Sequence, residues 1–125
     1  MTTQTGHTEA IAASRVIGTS VYNTEGKSIG SIEDIMLDKT SNGIMFAVIG
    51  FGGFLGIGEK YHAIPWASLD YSTDKGGYVV PFTNDQLKAA PAYSIKELTG
   101  ADGHKARDAS FNYYHVEPYW TNPAA

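Results

Sequence analysis

The sequence predicts a mostly β protein: a small six-stranded antiparallel β-barrel followed by short C-terminal helices and an extended aromatic tail. Three observations lead to this fold class. From Ser14 to Phe82 the chain alternates short apolar runs with turn residues, as compact all-β folds do. Fourteen glycines favour many tight turns. Hydrophobic residues make up 42% of the 125 residues, which is enough to build a core.

The first three strands are predicted at 16–22, 28–38 and 44–51. Gly18 is expected to kink the first strand. In the second strand the apolar residues slip by one position near Gly30 and Ser31, which predicts a β-bulge. Positions 29, 32 and 36 would also fit a helical stripe, but the β-branched residues and Gly30 favour a strand. The third strand follows an Asn-Gly turn and is the most apolar, so we expect it inside the sheet.

Three further strands are predicted at 60–69, 69–72 and 78–82. Pro65 lies in the first of these and indicates an edge strand or a bulge. Capping boxes beginning at Thr83 and Ser94 predict two short helices after the barrel. The expected organisation is a mobile arm at 1–13, a barrel domain at 14–91 and a C-terminal part at 92–125. That last part comprises a helical turn, a polar linker at 101–110 and the aromatic tail.

Charge and composition exclude several classes of protein. The net charge is −4 and the nine basic residues are scattered, which argues against direct nucleic-acid binding. There is no cysteine, so disulfides and thiolate chemistry are excluded. No secretory signal is recognised, and no apolar stretch approaches the ~20 residues of a membrane helix, so no membrane insertion is expected. These features together predict a cytoplasmic protein.

The glycine-rich segment at 50–58 has the composition of a nucleotide-binding loop but not its spacing. Counted from Gly50, the position of the third fingerprint glycine is Leu55, and Glu59 follows the last glycine where a phosphate loop carries lysine. The next predicted element is a strand, so no helix N-terminus faces the loop. We interpret the segment as a structural hairpin with an apolar tip at Phe54, Leu55 and Ile57.

No catalytic, cofactor-binding or metal-binding residues are predicted. Glu33, Asp34 and Asp38 form an acidic cluster, in which Asp34 and Asp38 could share a strand face and bind a cation weakly, but a solvated acidic face is the favoured interpretation. A perturbed carboxylate beside a histidine, such as Asp34 near His62, would be the pattern that indicates an enzyme. None of the four histidines has a partner at helical metal-ligand spacing; they are His7, His62, His104 and His115.

The decapeptide at 111–120 holds five of the fifteen aromatic residues of the chain. Two interpretations are open. The aromatic side chains could dock on their own barrel. They could instead form a surface for self-association or for a partner, because Tyr and Trp are enriched at the centres of interfaces.

Several motifs resemble the PRC-barrel family, in order and in register across residues 14–91. They lie at 16–18, 21–23, 26–38, 47–60 and 63–66. The resemblance implies a six-stranded barrel that serves as an interaction module. Relatives in that family include the cytoplasmic domain of the photosynthetic reaction-centre H subunit and the C-terminal domain of the small-subunit ribosome maturation factor. This chain lacks the membrane helix of the first and the N-terminal barrel of the second, so neither task is carried over.

The function predicted is a non-catalytic protein-interaction module that forms a homodimer and binds a protein partner of unknown identity. A barrel that holds a small ligand near Trp66 and the glycine hairpin is the alternative, and an enzyme is the least favoured. The expected interaction surface consists of Phe54, Leu55, Ile57, Trp66, Tyr113, Tyr114, Tyr119 and Trp120.

Overall fold

A computed structural model of the protein describes residues 10–51, 61–100 and 102–121. The fold class is confirmed as mostly β with short C-terminal helices. The strands are β1 (Ser20–Tyr22), β2 (Ser28–Leu37), β3 (Ile44–Gly50), β4 (Tyr61–Pro65), β5 (Asp70–Ser72) and β6 (Gly77–Val79). The helices are α1 (Ala13–Val16), α2 (Asn84–Ala89), α3 (Ile95–Thr99) and α4 (His104–Tyr113), with 3₁₀ turns at Trp66–Ser68 and Tyr119–Thr121. None of the helices described has the length and apolar character needed to cross a membrane.

The strands form one sheet in the order β4-β3-β2-β1-β6-β5. The prediction of a wholly antiparallel barrel is wrong at one pair, because β1 and β6 run parallel, with Val21 opposite Tyr78. The other neighbouring pairs are antiparallel. The 3₁₀ turn Trp66–Ser68 explains the exception. It lets β5 begin without pairing to β4, so the alternation of strand direction is interrupted before β6 reaches the free side of β1.

The sheet is curled but not closed over the described residues, with β4 and β5 as its edges. In a flat sheet with strands about 4.8 Å apart, the two edges would lie about 24 Å from each other. The five peptide steps from Pro65 to Asp70 can span about 18 Å at most. The short connection between the edge strands therefore requires strong curvature, which gives the sheet its barrel-like form. The edge position predicted from Pro65 is confirmed.

Strand β3 is buried on both faces. From Phe46 to Ile49 its side chains alternate between two apolar clusters, which we call the inner core and the outer core. Ala47 and Ile49 belong to the inner core, inside the curled sheet, together with Val21, Ile32 and Ile64. The outer core lies on the other face and contains Met45, Phe46, Val48, Ala63, Leu98 and Ala106. This double burial explains why β3 reads as a continuous apolar run.

The beginning of the chain differs from the predicted strand at 16–22. Residues Ala13–Val16 are helical, and strand β1 starts only at Ser20. Gly18 has a φ of 91°, a conformation that favours glycine, and it turns the chain between the two elements. The predicted β-bulge is confirmed, because the β1–β2 register shifts between Ser28 and Gly30.

Both predicted capping boxes are present. At the start of α2 the Thr83 hydroxyl accepts from the Gln86 amide at 3.2 Å, and the Gln86 side chain accepts from the Thr83 amide at 2.8 Å. Ser94 and Glu97 make the equivalent pair at the start of α3, at 3.1 and 2.8 Å. Each reciprocal pair satisfies two amides that a helix terminus otherwise leaves without partners.

The polar linker predicted at 101–110 is wrong, because α4 occupies His104–Tyr113. Its buried positions are Ala106, Arg107, Ser110, Phe111 and, just beyond its end, Tyr114. These positions recur at helical spacing. Two of them, Arg107 and Ser110, are polar, so the sequence does not show a continuous apolar stripe along the helix. The helix and the tail after it form what we call the C-terminal segment, residues 102–121.

Candidate functional site

The C-terminal segment is fixed to its own barrel by hydrogen bonds to backbone carbonyls. The Ser110 hydroxyl donates to the carbonyl oxygen of Ala63 in β4 at 2.7 Å, in a buried position. The Tyr113 hydroxyl donates to the carbonyl oxygen of Gln86 in α2 at 2.6 Å. Both contacts join elements far apart in sequence, so they set the position of α4 on the sheet.

A buried carboxylate holds the far end of the segment. Asp38, only 4% exposed, directly follows β2 and accepts the Tyr119 hydroxyl at 2.9 Å. Its other oxygen accepts the Thr40 hydroxyl at 2.6 Å and the amides of Thr40 and Ser41 at 2.9 and 3.4 Å. The Thr40 hydroxyl contributes most to holding the pKa of Asp38 well below its usual range. The solvated-face interpretation is therefore wrong for Asp38, whereas Glu33 and Asp34 are exposed.

The Trp120 ring packs against the Arg107 guanidinium and against the Phe111 ring. The Arg107 guanidinium carbon lies 3.6 Å from the centroid of the Trp120 ring, and the Phe111 ring meets Trp120 at 4.9 Å in a T-shaped contact. Arg107 is buried and also pairs with Asp108 at 3.1 Å. The Asp108 side chain is 61% exposed, so it carries its charge to the surface.

These side chains border an open groove of about 310 Å³, which we call the C-terminal groove. Its apolar lining comes from Phe111, Val116, Pro118 and Trp120, and its polar lining from Asp108, Asn112 and His115. His115 has a φ of 57°, and this left-handed residue turns the chain after α4. The arrangement offers an apolar contact surface beside one carboxylate.

The predicted interaction residues fall in three places. Trp120 lines the C-terminal groove. Tyr113, Tyr114 and Tyr119 pack against their own barrel, Tyr114 by stacking on Phe82 at 4.3 Å. Trp66 is half-buried and contacts Tyr78 at a centroid distance of 5.5 Å. The predicted tip at Phe54, Leu55 and Ile57 lies outside the described residues.

The sequence reasoning missed most of the groove. The sequence places Asp108 in the predicted linker and Asn112 in the predicted tail, and only the helical spacing of α4 brings them to one side. The signal was available in the recurrence of Ala106, Ser110 and Tyr114 every four residues. A serine in that stripe obscured it, although its hydroxyl is satisfied inside the fold.

His62 is the other notable ionisable side chain. It is 1% exposed, neither ring nitrogen has a hydrogen-bond partner among the described residues, and its ring lies 4.6 Å from that of Phe51. Burial lowers the pKa of His62 to about 4, and no carboxylate contributes. Asp34, the partner considered from the sequence, is exposed and accepts the amide of Ile35 instead. The structure therefore does not bring this pair together.

The described part of the chain also contains no group of three or more His, Asp or Glu side chains placed to hold a metal ion.

Comparison with known proteins gives two findings. The model of the PRC-barrel domain matches residues 8–87. An uncharacterized protein of Deinococcus radiodurans is 27% identical over 112 residues, an alignment that covers 84% of this chain and 39% of that protein. This chain therefore spans less than half the length of that relative. The alignment is too long to fit within residues 1–87, so the likeness reaches into the part of the chain that follows the family match. The C-terminal groove lies wholly in that later part.

Proposed function

The chain belongs to the PRC-barrel domain family, as its motifs predicted, and from this premise we propose that it is a non-catalytic protein-interaction module that associates with a second copy of itself. The observation that carries the proposal is the C-terminal groove, an apolar surface added after the family domain and open to solvent. A further protein partner and a cytoplasmic location belong to the same proposal and rest on the sequence.

The construction of the groove supports a contact role. Trp120 is held by Arg107 on its face and Phe111 at its edge, so little side-chain freedom remains to be lost when a partner binds. Tryptophan and arginine are also the residues most enriched at the energetic centres of interfaces. A preorganised aromatic wall beside a charged rim is the pattern that such centres share.

The buried ionisable groups favour a non-catalytic role. The oxygens of Asp38 accept four hydrogen bonds, so this carboxylate acts as a structural acceptor. His62 is closed off from solvent and has no acidic or basic partner in the described residues. A general acid or base must reach its substrate within hydrogen-bonding distance, and neither group is placed to do so.

The test compares two exposed positions on α4, one inside the groove and one outside it. We expect the wild type to exceed the 13.5 kDa monomer mass in a concentration-dependent way, measured by sedimentation and light scattering. Asn112→Arg places a bulky cation in the groove and should weaken association at least about tenfold, or about 1.4 kcal/mol. His104→Arg adds the same kind of charge outside the groove and should leave association unchanged.

Far-UV circular dichroism and thermal unfolding would show that both variants fold. Deleting the whole tail is unsuitable, because it removes Phe111 and Tyr114, which belong to the core. A wild type that stays monomeric up to its solubility limit contradicts the proposal. Association that is insensitive to Asn112→Arg would show that another surface is used.

Small-ligand binding is the second candidate, and the groove supports it as well. Its volume of about 310 Å³ lies at the lower end of small-molecule sites, which run from about 300 to 1,000 Å³. The position predicted near Trp66 and the glycine hairpin lies partly outside the described residues, and Trp66 itself packs against the inner core. A metabolite that raises the melting temperature of the wild type but not of Asn112→Arg would favour this function.

A further inference from the structure

The N-terminal helix presents an apolar and basic surface that the described residues of the chain do not cover. Val16 anchors α1 in the inner core, and the Thr19 hydroxyl donates to the carbonyl oxygen of Arg15 at 2.8 Å. Ile11 and Ile17 flank the helix and are 43% and 40% exposed, and they are two of the five large hydrophobic residues exposed in the described parts of the chain. The exposed Arg15 lies between them and forms no salt bridge with any described residue.

The C-terminal groove has the complementary chemistry. Two nitrogens of Arg107, Nε and Nη2, contact Asp108. Both contacts are to the same oxygen, Oδ1, at 3.1 Å. The second oxygen of Asp108, Oδ2, has no hydrogen bond or ion pair with any described residue and can bind another cation. Beside it lie the apolar side chains Phe111, Val116 and Trp120. Arg15, with Ile11 and Ile17 on either side of it in the sequence, is therefore complementary to Asp108 and the apolar side chains beside Asp108, which form the floor of the groove.

We propose that the C-terminal groove receives α1 of a second copy of this chain, with Ile11 and Ile17 on the apolar floor and Arg15 paired with Asp108. The proposal rests on the self-association proposed above and names the segment that makes the contact. The occupant comes from another copy, because α1 is not among the elements that line the groove of its own chain. Two such contacts related by a two-fold axis close a dimer, in which each copy donates one α1 and one groove.

Apolar burial supplies most of the attraction and the ion pair sets the register. Burying the exposed parts of two isoleucines removes apolar surface from water. A pair of charges at the surface contributes up to about 1 kcal/mol, whereas two like charges brought together repel. Reversing the charge of Arg15 should therefore weaken association more strongly than neutralising it would.

The test is a charge exchange measured by sedimentation equilibrium. Arg15→Glu should weaken self-association at least about tenfold, because it faces Asp108 with a second carboxylate. Combining Arg15→Glu with Asp108→Lys should restore association to within about threefold of the wild type, since the pair is re-formed with its charges exchanged. Lys27→Glu makes the same charge change on the exposed turn before β2 and should have no effect.

A second variant covers the case in which Asp108→Lys fails to fold beside Arg107. Ile17→Ser removes an apolar side chain that is 40% exposed and should also weaken association at least about tenfold, with thermal unfolding showing that the variant still folds. A wild type that associates while Arg15→Glu and Ile17→Ser do so equally well overturns the docking of α1 and leaves the proposed function standing. A wild type that stays monomeric overturns both. Assemblies that grow beyond a dimer with concentration overturn the closed two-fold pair.

Discussion

At the scale of single residues, Asp38 and His62 show how burial acts on an ionisable group with partners and without them. Asp38 is charged because four donors replace the water it lost. His62 is neutral because no group among the described residues replaces that water. In the sequence each of them is an ionisable residue next to an apolar one. Asp38 takes three of its hydrogen bonds from Thr40 and Ser41, which follow it closely in the chain, and one from the distant Tyr119. The burial of both side chains depends on distant parts of the chain, which the sequence does not show.

His62 should make the protein sensitive to mild acid. An unfolded chain takes up a proton on this histidine below about pH 6.5, whereas the buried ring does so only near its lowered pKa of about 4. Between these values the unfolded state binds more protons, so stability falls as the pH falls. Lowering the pKa of His62 from 6.5 to about 4 corresponds to about 3 kcal/mol in the free energy of unfolding across this pH range.

The check is urea unfolding of wild type and His62→Leu at about pH 7.5 and about pH 4.5, with a wild-type loss about 2 kcal/mol larger than that of the variant. The control His104→Leu changes an exposed histidine and should keep the wild-type pH dependence. Asp38 does not interfere, because its lowered pKa means that its contribution is lost only in stronger acid. Equal pH dependence in wild type and His62→Leu would refute the prediction.

At the scale of elements, the pairing of β2 with β3 depends on a close backbone approach at Gly30. A Cβ at this position would collide with the carbonyl oxygen of Gly50, and backbone cannot move aside as a flexible side chain can. The sequence marked Gly30 only as the site of a bulge. Its more specific role, room for the end of β3, depends on the register of two strands.

Gly30→Ala should therefore destabilise the protein by about 2 kcal/mol or more, the range of overpacked sites. Chemical denaturation monitored by circular dichroism measures the change. Ser31→Ala, one residue further along β2, removes a surface hydrogen bond from the Ser31 hydroxyl to Glu33 and should stay within about 0.5 kcal/mol of the wild type. A Gly30→Ala variant as stable as Ser31→Ala would mean that the strands separate easily at this point.

The helices show which elements are readable locally. Helices α2 and α3 were predicted because Thr83 and Ser94 begin capping boxes, and that pattern spans only four residues. Helix α4 was missed because it begins after Gly103 without a side-chain cap, and because polar Arg107 and Ser110 occupy its buried side. Their contacts lie on β4 and on Trp120, outside any local window.

At the scale of the whole molecule, the C-terminal segment completes the fold. Its residue Ala106 is part of the outer core over β3 and β4, and Phe111 and Tyr114 are buried as well. Tyr119 reaches back to Asp38, 81 positions earlier in the chain. The C-terminal segment, which the sequence predicts as a linker and a tail, therefore forms a layer of the fold. The C-terminal groove lies on this packed layer.

Ending the chain at Gly100 should consequently lower the free energy of unfolding by more than about 3 kcal/mol, the loss typical of removing one large core side chain. The truncated protein would also expose Phe46 and Val48 to water and should aggregate. Thermal unfolding and light scattering measure the two effects. Ending the chain at Thr121 keeps every described contact and should leave the stability unchanged; a stable, monomeric protein ending at Gly100 would contradict this view.

The sequence by itself determined the strand content, the turns, the two capped helices and the membership of a family, because each is written in patterns of a few neighbouring residues. The tertiary structure alone decided the parallel pairing of β1 with β6, the burial of His62, and the position of residues from Asp108 to Trp120 around one groove. These features depend on contacts between distant parts of the chain. Burial and partners become definite only when the sheet curls and the C-terminal segment closes over its outer face.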